Sequence, residues 1–495
     1  MLGRCTNMDQ NEAPIVDALA AIERHPIIGF GAPGHHQGSA MPSGMARLVG
    51  KRAFAADVLT PKGLDDRTES LHAVQRAHEI AAEAWGADLC RFATAGSTQS
   101  LHTLISAVVR PGETILIAAN AHKAEFSAVL MAGLVPVVVP VAIDEGWDIE
   151  HGVEPDTLAG LLDAHPAAKA VVVVSPSYFG VTGDIAALST VCHARGVPLI
   201  VDAAWGAAFA FSARLPADPL ALGADAMACS LHKTMCALAQ GSVMLARGGL
   251  IDLQRLALAY ELFQTTSPSV PILASLDATR RDHALHGERL WGEVLDLART
   301  ARRDLAKIPG VRVFARSDLA PPGAYDLDET KLLLDITALG TTGYAIDDWL
   351  VENWKVSVGL SDARHLLVTV ALGTTVRDVR ALVAGLKALS ELLSTDPKAL
   401  PAAPSAIPGV ATLQFELAMP SHDALFAAVE ELPIGEAEGR IAAEFIAPAP
   451  PAIPRLVPGQ RISRAHVAFL LAQRAAGAFF LDPTDPSERM IRVVR

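Results

Sequence analysis

The segment from Ala228 to Ser242, ACSLHKTMCALAQGS, places one lysine between a histidine and a threonine in a run of small and apolar residues. An unpaired ammonium group is costly to bury in such surroundings. A lysine can also extend its charged end to the surface. Lys233 is therefore either a surface residue or a chemical reagent, and the choice depends on which other polar residues reach the same place in the fold.

Three other polar features fall on strand ends or in the loops after them. Gly96, Ser97 and Thr98 in TAGSTQS open a predicted helix. The free N–H groups and the dipole of a helix N-terminus favour a phosphate, although an ordinary helix cap would explain these residues equally well. His122 follows the next predicted strand, where a lone histidine is more often structural than functional. Asp202 ends the strand in VDAAW, and a carboxylate there needs a cationic or hydrogen-bonding partner.

The order of these features along the chain fits one cofactor. Pyridoxal phosphate (PLP) uses a helix N-terminus for its phosphate, a flat partner for its ring, a carboxylate for its pyridine nitrogen and a lysine for the Schiff base. The sequence offers a phosphate loop, a histidine, an aspartate and a lysine in that order, each at a predicted strand end. Ligands of α/β sheets bind beyond the carboxyl ends of the strands, so we expect a PLP site around Lys233.

Short Val- and Ile-rich runs alternate with longer helical patterns through the first half of the chain. The predicted strands are 113–119, 135–142, 168–178 and 196–205, and the predicted helices are 98–109, 121–132, 155–164 and 185–195. This alternation is typical of an α/β fold with a mainly parallel sheet buried on both faces. Amphipathic spacing predicts a long helix over 272–308 and a shorter one over 436–444. The runs KLLLDIT and LLVTVAL predict strands of a second, smaller α/β unit.

Composition excludes several classes of partner. The chain has 41 basic and 54 acidic residues, for a net charge of −13. This balance disfavours nucleic-acid binding and a polybasic membrane patch. Neither an apolar run of transmembrane length nor an N-terminal signal-like segment is found, so we expect a cytoplasmic protein. Five scattered cysteines without C-x-x-C spacing indicate neither a disulfide framework nor a metal site.

From about residue 26 to residue 492 the chain resembles the fold-type I, PLP-dependent ornithine/lysine/arginine decarboxylases. The stretches that carry the resemblance include APGHHQGSA (32–40), GLDDRTES (63–70), GSTQS (96–100), SPSYFGVTGDI (175–185), DAAWGAAFAF (202–211), SLHKT (230–234), QTTSPSVPILASLDATR (264–280) and 425–462.

The resemblance also implies a domain organisation. An N-terminal arm over 1–50 would precede a large PLP-binding domain over 51–308 and a small α/β domain over 309–395. After a Pro- and Ala-rich linker, 396–409, a small C-terminal α+β domain would occupy 410–495. The N-terminal wing domain of longer family members would be absent.

The resemblance assigns roles to individual residues. Lys233 would form the Schiff base, and the phosphate would be bound by Gly96, Ser97, Thr98 and Ser230, with His232 near it. Lys233 and His232 are both candidates to return a proton to the substrate.

The remaining assignments concern the ring and a second subunit. His122 would stack on the ring, and Asp202 would keep the pyridine nitrogen protonated. Trp205 would lie beside the cofactor, although it could equally be a core aromatic residue. Thr266 would reach the phosphate of a neighbouring subunit, because the family's active sites lie at the interface of a homodimer or larger homo-oligomer.

The expected reaction is decarboxylation of lysine, ornithine or arginine to the amine and CO2, in amino-acid or polyamine metabolism. A basic substrate requires an acid for its distal cation, and Asp362, Glu436 and Glu444 are candidates. Gly359 stands where the family leads us to expect an acidic residue, and 449–452 reads APPA instead of Tyr-Pro-Pro-Gly. These departures leave open a decarboxylase of a neutral or unusual amino acid, an aminotransferase or deaminase on the same fold, and a non-catalytic relative.

Overall fold

The structure is a computed structural model that describes residues 8–24, 30–58, 64, 72–320, 322–449, 453–481 and 483–495. In this part of the chain, no helix is both long enough and apolar enough to cross a bilayer.

The strands are numbered in chain order. They are β1 Leu89–Ala93, β2 Thr114–Ala118, β3 Val135–Val139, β4 Ile143–Asp144, β5 Ile149–Glu150, β6 Val171–Val174, β7 Val181–Thr182, β8 Leu199–Asp202, β9 Ala226–Ser230, β10 Ser242–Ala246, β11 Arg312–Val313, β12 Asp326–Leu327, β13 Lys331–Asp335, β14 Leu360–Ser361, β15 His365–Thr369, β16 Val429–Pro433, β17 Ala447–Ala449, β18 Phe479–Leu481 and β19 Met490–Val494.

The α-helices are numbered in the same way. They are α1 Pro14–Arg24, α2 Ser43–Ala56, α3 Ala73–Ala84, α4 Gly96–Val108, α5 Lys123–Met131, α6 Pro155–Ala164, α7 Ile185–His193, α8 Leu231–Thr234, α9 Leu253–Phe263, α10 Val270–Leu305, α11 Gly343–Trp354, α12 Val376–Thr395, α13 Ser421–Phe426 and α14 Arg464–Ala475.

The chain divides into two compact units. The first unit comprises residues 1–108 and 200–291, and the second comprises residues 109–199 and 292–495. The domain boundaries expected from the sequence are a different division of the chain and stay predictions.

The first unit holds the strand ends that matter for the site. Its strands run in the order β1-β10-β9-β8. β1 and β10 are antiparallel, β10 and β9 are antiparallel, and β9 and β8 are parallel. The register pairs Ala93 with Ser242 and Ser242 with Ser230, and it pairs Asp202 with Ala228. The ends of β1, β9 and β8 therefore meet the start of β10 at one edge of the sheet.

The second unit contains parallel and antiparallel parts. β2 lies between β6 and β3 and is parallel to both. β2 and β6 are almost fully buried apolar runs, as expected for strands covered on both faces, whereas the outer strand β3 is equally apolar but has an exposed Val135 and three half-buried residues. A separate antiparallel sheet has the order β11-β13-β15-β14. Near the C-terminus, β16 pairs with β19 and β17 with β18 around an apolar cluster that includes Leu456, Phe469 and Val493.

Most of the predicted elements are confirmed. The four predicted strands correspond to β2, β3, β6 and β8, the four predicted helices to α4, α5, α6 and α7, and the predicted long helix to α10. The prediction of an amphipathic helix over 436–444 is wrong. Gly439 takes a positive φ of 80° there. The backbone N–H groups of Ala442 and Ala443 bond to the carbonyl groups of Gln460 and Arg492, so this segment pairs with distant segments instead of coiling on itself.

Candidate active site

A cluster of four buried serines lies at the edge of the first unit's sheet. Ser97 Oγ is 2.6 Å from Ser230 Oγ and 3.2 Å from Ser242 Oγ, and Ser100 Oγ is 3.0 Å from Ser242 Oγ. Ser242 donates its only hydroxyl hydrogen to Cys229 O at 2.8 Å. Ser242 therefore has no hydrogen left to donate to its serine neighbours and can only accept from them. Ser97 and Ser230 can turn their hydrogens towards an added acceptor, because hydroxyl groups rotate freely.

The serine cluster borders the N-terminus of α4. Gly96 opens the helix with a φ of 73°, a left-handed conformation that favours glycine. Its N–H is bonded to Gln240 O at 2.9 Å, and no described heavy atom lies within 4 Å of where a Cβ would be. Thr98 is exposed in the first turn. The first N–H groups of a helix have no partner within the helix, so this end faces open space with unused donors and suits an oxyanion.

Asp202 is a buried carboxylate without a cation. Its side chain is 5% exposed, and its Oδ1 accepts from Ala204 N–H at 2.9 Å. Within the described ranges it has no ion pair with Lys, Arg or His. Burying an uncompensated carboxylate is costly, and a protonated ring nitrogen would supply the missing positive partner. The first unit therefore fits PLP at its phosphate end and at its ring nitrogen.

Lys233 and Trp205 follow neighbouring parallel strands. Trp205 comes three residues after the end of β8, and Lys233 lies in the single turn α8 that follows β9. The Lys233 Nζ is 4.7 Å from the centroid of the Trp205 ring, which is within the range of a cation–π interaction. Both side chains are half-buried. The amine thus lies at the same sheet edge as the serine cluster and Asp202.

The surroundings of His232 favour the neutral form of its imidazole. Burial lowers the pKa of its imidazole, the nearby Lys233 charge acts in the same direction, and a hydrogen bond to Gly241 opposes both. Its Nδ1 is 2.9 Å from Gly241 O. A carbonyl oxygen can only accept, so Nδ1 carries the hydrogen. The ring is therefore neutral near pH 7, with an unprotonated Nε2.

His122 belongs to the second unit. It is the N-cap of α5, and its Nδ1 accepts from Ala124 N–H at 3.1 Å. The preceding loop is fixed by Asn120, whose Nδ2 donates to His151 O at 2.8 Å. The capping bond orients the ring, and the ring-stacking role stays a prediction.

Thr266 lies apart from the serine cluster. It is exposed in the loop between α9 and α10, and within the described residues it has no hydrogen bond to the cluster. Its assigned partner is a second subunit, so that role also stays a prediction.

Sequence reasoning missed Ser100 and Ser242 in the cluster, and Gln99, Tyr260 and Gln264 beside it. Ser242 starts β10, and its position next to Ser230 follows from antiparallel pairing, which the spacing of residues along the chain does not reveal. A small polar residue at the start of an otherwise apolar strand was the available signal.

The three acids suggested for a distal cation differ in their surroundings. Glu436 is exposed. Glu444 is buried and accepts from the backbone N–H groups of Thr484 and Arg492, so its carboxylate is already engaged. Burial raises the pKa of Asp362, but the charge and hydrogen bond of His365 outweigh this effect and lower it. Asp362 and His365 also line a cavity of about 60 Å³ in the second unit.

Gly359 is exposed and precedes β14, and Pro450, Pro451 and Ala452 lie outside the described residues. Cys90, Cys192, Cys229 and Cys236 form no disulfide within the described residues, and Cys5 lies outside them. In the part of the chain that the structure describes, no group of three or more His, Cys, Asp or Glu side chains could hold a metal ion.

Comparisons with known proteins cover nearly the whole chain. Residues 13–378 match the model of the family "Orn/Lys/Arg decarboxylase, major domain", and residues 412–480 match its C-terminal domain. An arginine decarboxylase from Halalkalibacterium halodurans is 35% identical over 98% of this chain and 98% of the relative. An arginine decarboxylase from Bacillus subtilis is 33% identical over 99% of both chains.

Solved structures agree on the fold. A lysine decarboxylase from Francisella novicida superposes with a TM-score of 0.80 at 21% identity, covering 98% of this chain and 82% of that one. Lysine decarboxylase A from Pseudomonas aeruginosa gives a TM-score of 0.81 at 21% identity, covering 97% of this chain and 80% of that one. The α/β fold predicted from the sequence is thereby confirmed. With the family match over most of its length, the chain belongs to the Orn/Lys/Arg decarboxylase family.

Proposed function

We propose that the chain is a PLP-dependent decarboxylase of a basic amino acid and that arginine is its substrate. The observation that carries the chemistry is the common sheet edge at which Lys233, the buried Asp202 and the serine cluster lie. Arginine is favoured because the arginine decarboxylases of two organisms are similar to this chain from end to end.

Different residues of the first unit would hold different parts of the cofactor. Ser97, Ser230 and the first turn of α4 bind the phosphate through hydroxyl and N–H donors. Lys233 would hold the aldehyde carbon, and Asp202 would keep a proton on the ring nitrogen. When bound, PLP supplies an electron sink for the pair left behind by the departing carboxylate. Because Asp202 is buried, water screens its charge little, and its effect on the ring nitrogen is correspondingly large.

One of two groups must return the proton to the substrate. His232 is neutral near pH 7 because burial lowers its pKa, so it carries no proton to give at Nε2. Lys233 has a protonatable amine at the same edge of the sheet. This difference favours Lys233 as the proton donor and leaves His232 as a hydrogen-bond acceptor beside the site.

The assembly and the location follow the family resemblance. We propose a homodimer in which Thr266 of each subunit approaches the other subunit's cofactor, and in which His122 stacks on the ring within its own subunit. The low proportion of basic residues and the lack of a membrane-spanning pattern in the sequence support a cytoplasmic location.

The test is CO2 release by the PLP-loaded protein with arginine, lysine, ornithine and a panel of neutral amino acids, with the mass of each product recorded. We expect CO2 and the corresponding amine from arginine, with slower release from lysine and ornithine. Lys233→Ala serves as the inactive control. A keto acid without CO2 would contradict decarboxylation and support transamination or deamination. Absence of PLP binding by the wild-type protein would support a non-catalytic relative.

A decarboxylase of a neutral amino acid is the second candidate. It is favoured by Gly359, which offers no side chain where the family resemblance predicts an acid, and by Glu444, whose carboxylate is engaged by backbone N–H groups. CO2 release from a neutral substrate alone would select this candidate.

A further inference from the structure

A chain of side-chain hydrogen bonds closes a ring around the phosphate loop of the first unit. Tyr260 OH donates to Phe92 O at 2.7 Å, and Gln264 Nε2 donates to Tyr260 OH at 2.8 Å. Gln99 Nε2 donates to Gln264 Oε1 at 3.0 Å, and Ala95 N–H donates to Gln99 Oε1 at 3.1 Å. We call Tyr260, Gln264 and Gln99 the glutamine bridge. It joins the end of β1 to the start of α4 through the end of α9.

The direction of each hydrogen bond in the bridge is fixed. Burial raises the pKa of Tyr260 well above its usual value, so its phenol stays neutral and keeps its hydrogen. The carbonyl of Phe92 can only accept, so that hydrogen goes to Phe92 and the phenol oxygen accepts from Gln264. Each glutamine then uses its NH2 group in one direction and its oxygen in the other, and reversing either amide would place two acceptors or two donors face to face.

The bridge also satisfies a backbone group on the outer side of β1. β1 is the outer strand in the first unit's order β1-β10-β9-β8, so the backbone groups on its outer side need partners from outside the sheet. Phe92 N–H donates to His78 Nε2 at 3.1 Å, and burial holds the pKa of His78 well below its usual value, so that nitrogen remains an acceptor. Tyr260 satisfies the carbonyl of the same residue. Phe92, the last but one residue of β1, therefore has a side-chain partner for both of its backbone groups.

This arrangement determines which donors the phosphate loop presents. Gln99 occupies Ala95 N–H, and Gln240 O occupies Gly96 N–H. The donors that remain for an oxyanion are those of the first turn of α4 and the hydroxyl groups of Ser97 and Ser230. A loop free to rotate would present a different set of donors.

We propose that Gln99 and Gln264 are positioning residues that hold the N-terminus of α4 in the geometry that binds the phosphate of PLP, without touching the phosphate themselves. The inference rests on the proposed function, since it requires that the serine cluster and α4 bind that phosphate. It assigns to the end of α9 a role in cofactor affinity.

The test compares PLP with pyridoxal, which has the same ring and aldehyde but no phosphate. Dissociation constants for both are measured by titration of the full-length apoprotein, for the wild type, Gln99→Leu, Gln264→Leu and the double variant. We expect PLP to bind about fivefold to tenfold more weakly to each single variant, because one buried hydrogen-bond chain is lost. Pyridoxal binding should change less than twofold, and kcat at saturating PLP should stay within about twofold. Since both residues belong to one series of hydrogen bonds, the double variant should bind PLP no more weakly than the single variant with the lower affinity.

Gln254→Leu is the matched control, since Gln254 is an exposed glutamine in the first turn of α9, at the opposite end of the helix from Gln264. It should leave both dissociation constants unchanged. If Gln264→Leu does not fold, Tyr260→Phe removes only the phenol hydroxyl from the bridge and should show the same loss that is specific to PLP.

The outcomes separate the inference from the proposed function. If the variants bound PLP and pyridoxal more weakly by the same factor, the role of the two glutamines would be merely structural and the inference would be overturned. PLP binding that is normal in the wild type and unchanged in both leucine variants would overturn the inference alone. A wild-type protein that does not bind PLP would overturn the proposed function and the inference with it.

Discussion

At the scale of single residues, the charge of Asp202 and its shape can be separated experimentally. Asp202→Asn keeps the size of the side chain and a group that can accept from Ala204 N–H, but it removes the negative charge. We expect kcat to fall about 100-fold or more, in the range seen when one preorganised electrostatic group is removed from an active site. PLP should stay bound, because Lys233 and the serine cluster are intact. The measurements are kcat and the visible absorbance of the bound cofactor.

Asp218→Asn is the matched control. Asp218 is also 5% exposed and also accepts from backbone N–H groups in the first unit, those of Leu220 and Ala221. Burial raises the pKa of this carboxyl to about 6. Asp218 has no assigned contact with the cofactor, so its replacement by a neutral amide should have little effect on kcat. An Asp202→Asn variant with kcat within about fivefold of the wild type would show that the ring nitrogen does not depend on this carboxylate.

The residues of the site were predictable where order along the chain was informative. Asp202 lies in the predicted strand 196–205, and the order of the phosphate loop, Asp202 and Lys233 along the chain matches the groups that PLP needs at the carboxyl ends of strands. Ser242 and Gln264 could not be found in this way. Their partners are fixed by antiparallel pairing in one case and by the packing of α9 beside α4 in the other, and neither is visible as a spacing in the sequence.

At the scale of elements, the C-terminal helix α14 contains a histidine whose protonation is coupled to folding. His466 is 1% exposed, and its Nδ1 accepts from Ser463 N–H at 3.1 Å in the cap of the helix. Burial, together with the charge of Arg455, lowers its pKa to about 4. The unfolded chain, with an ordinary histidine pKa of about 6.5, therefore binds more protons between these values, and stability falls as the pH decreases through this window.

The expected contribution is about 2 kcal/mol of unfolding free energy lost between pH 7 and pH 5. His466→Asn places a neutral oxygen near the position of Nδ1, so the variant should lose this part of the pH dependence. The measurement is urea unfolding at both pH values, with His422→Asn at an exposed position of α13 as the control. A pH dependence that is the same in the wild type and in His466→Asn would contradict the coupling.

The same C-terminal region shows where prediction of elements reaches its limit. The spacing of apolar residues over 436–444 fits an amphipathic helix, but such spacing describes side chains only. The backbone of this segment is bonded to Gln460 and Arg492, which lie far away in the sequence. In contrast, β2, β3 and β6 were predictable because short continuous Val- and Ile-rich runs are typical of parallel strands, and this holds even for β3, which is only partly buried.

At the scale of the whole molecule, composition and strand–helix alternation were sufficient for the α/β class. The division into compact units was not foreseen, because it depends on which distant segments pack together. The second unit joins residues 109–199 to residues 292–495. Polar contacts connect these two segments, and the sequence pattern does not reveal them. One of them, between Glu150 and Arg455, is a charged pair that is nearly buried.

The Glu150–Arg455 pair should contribute to the attachment of the C-terminal region within the second unit. Arg455 Nη1 is 2.7 Å from Glu150 Oε1 and Arg455 Nη2 is 3.0 Å from Glu150 Oε2, with side chains 12% and 9% exposed. Removing one partner leaves the other charge buried and unpaired, so we expect Arg455→Met or Glu150→Gln alone to cost about 3 kcal/mol or more. The double variant should cost less than the two single variants together, because neither charge remains.

A double-mutant cycle on the free energy of opening, measured by hydrogen exchange in α14 and β17, isolates the coupling between the two side chains. Arg461 and Glu416 provide the comparison, since their 2.9 Å pair is 45% and 63% exposed and should give a coupling of at most about 0.5 kcal/mol. A Glu150–Arg455 coupling as small as that of the exposed pair would mean that apolar packing alone, around Leu456 and Phe469, holds the C-terminal region in place. A coupling above about 1 kcal/mol would show that the bidentate pair shares in holding it, because only a desolvated pair couples so strongly.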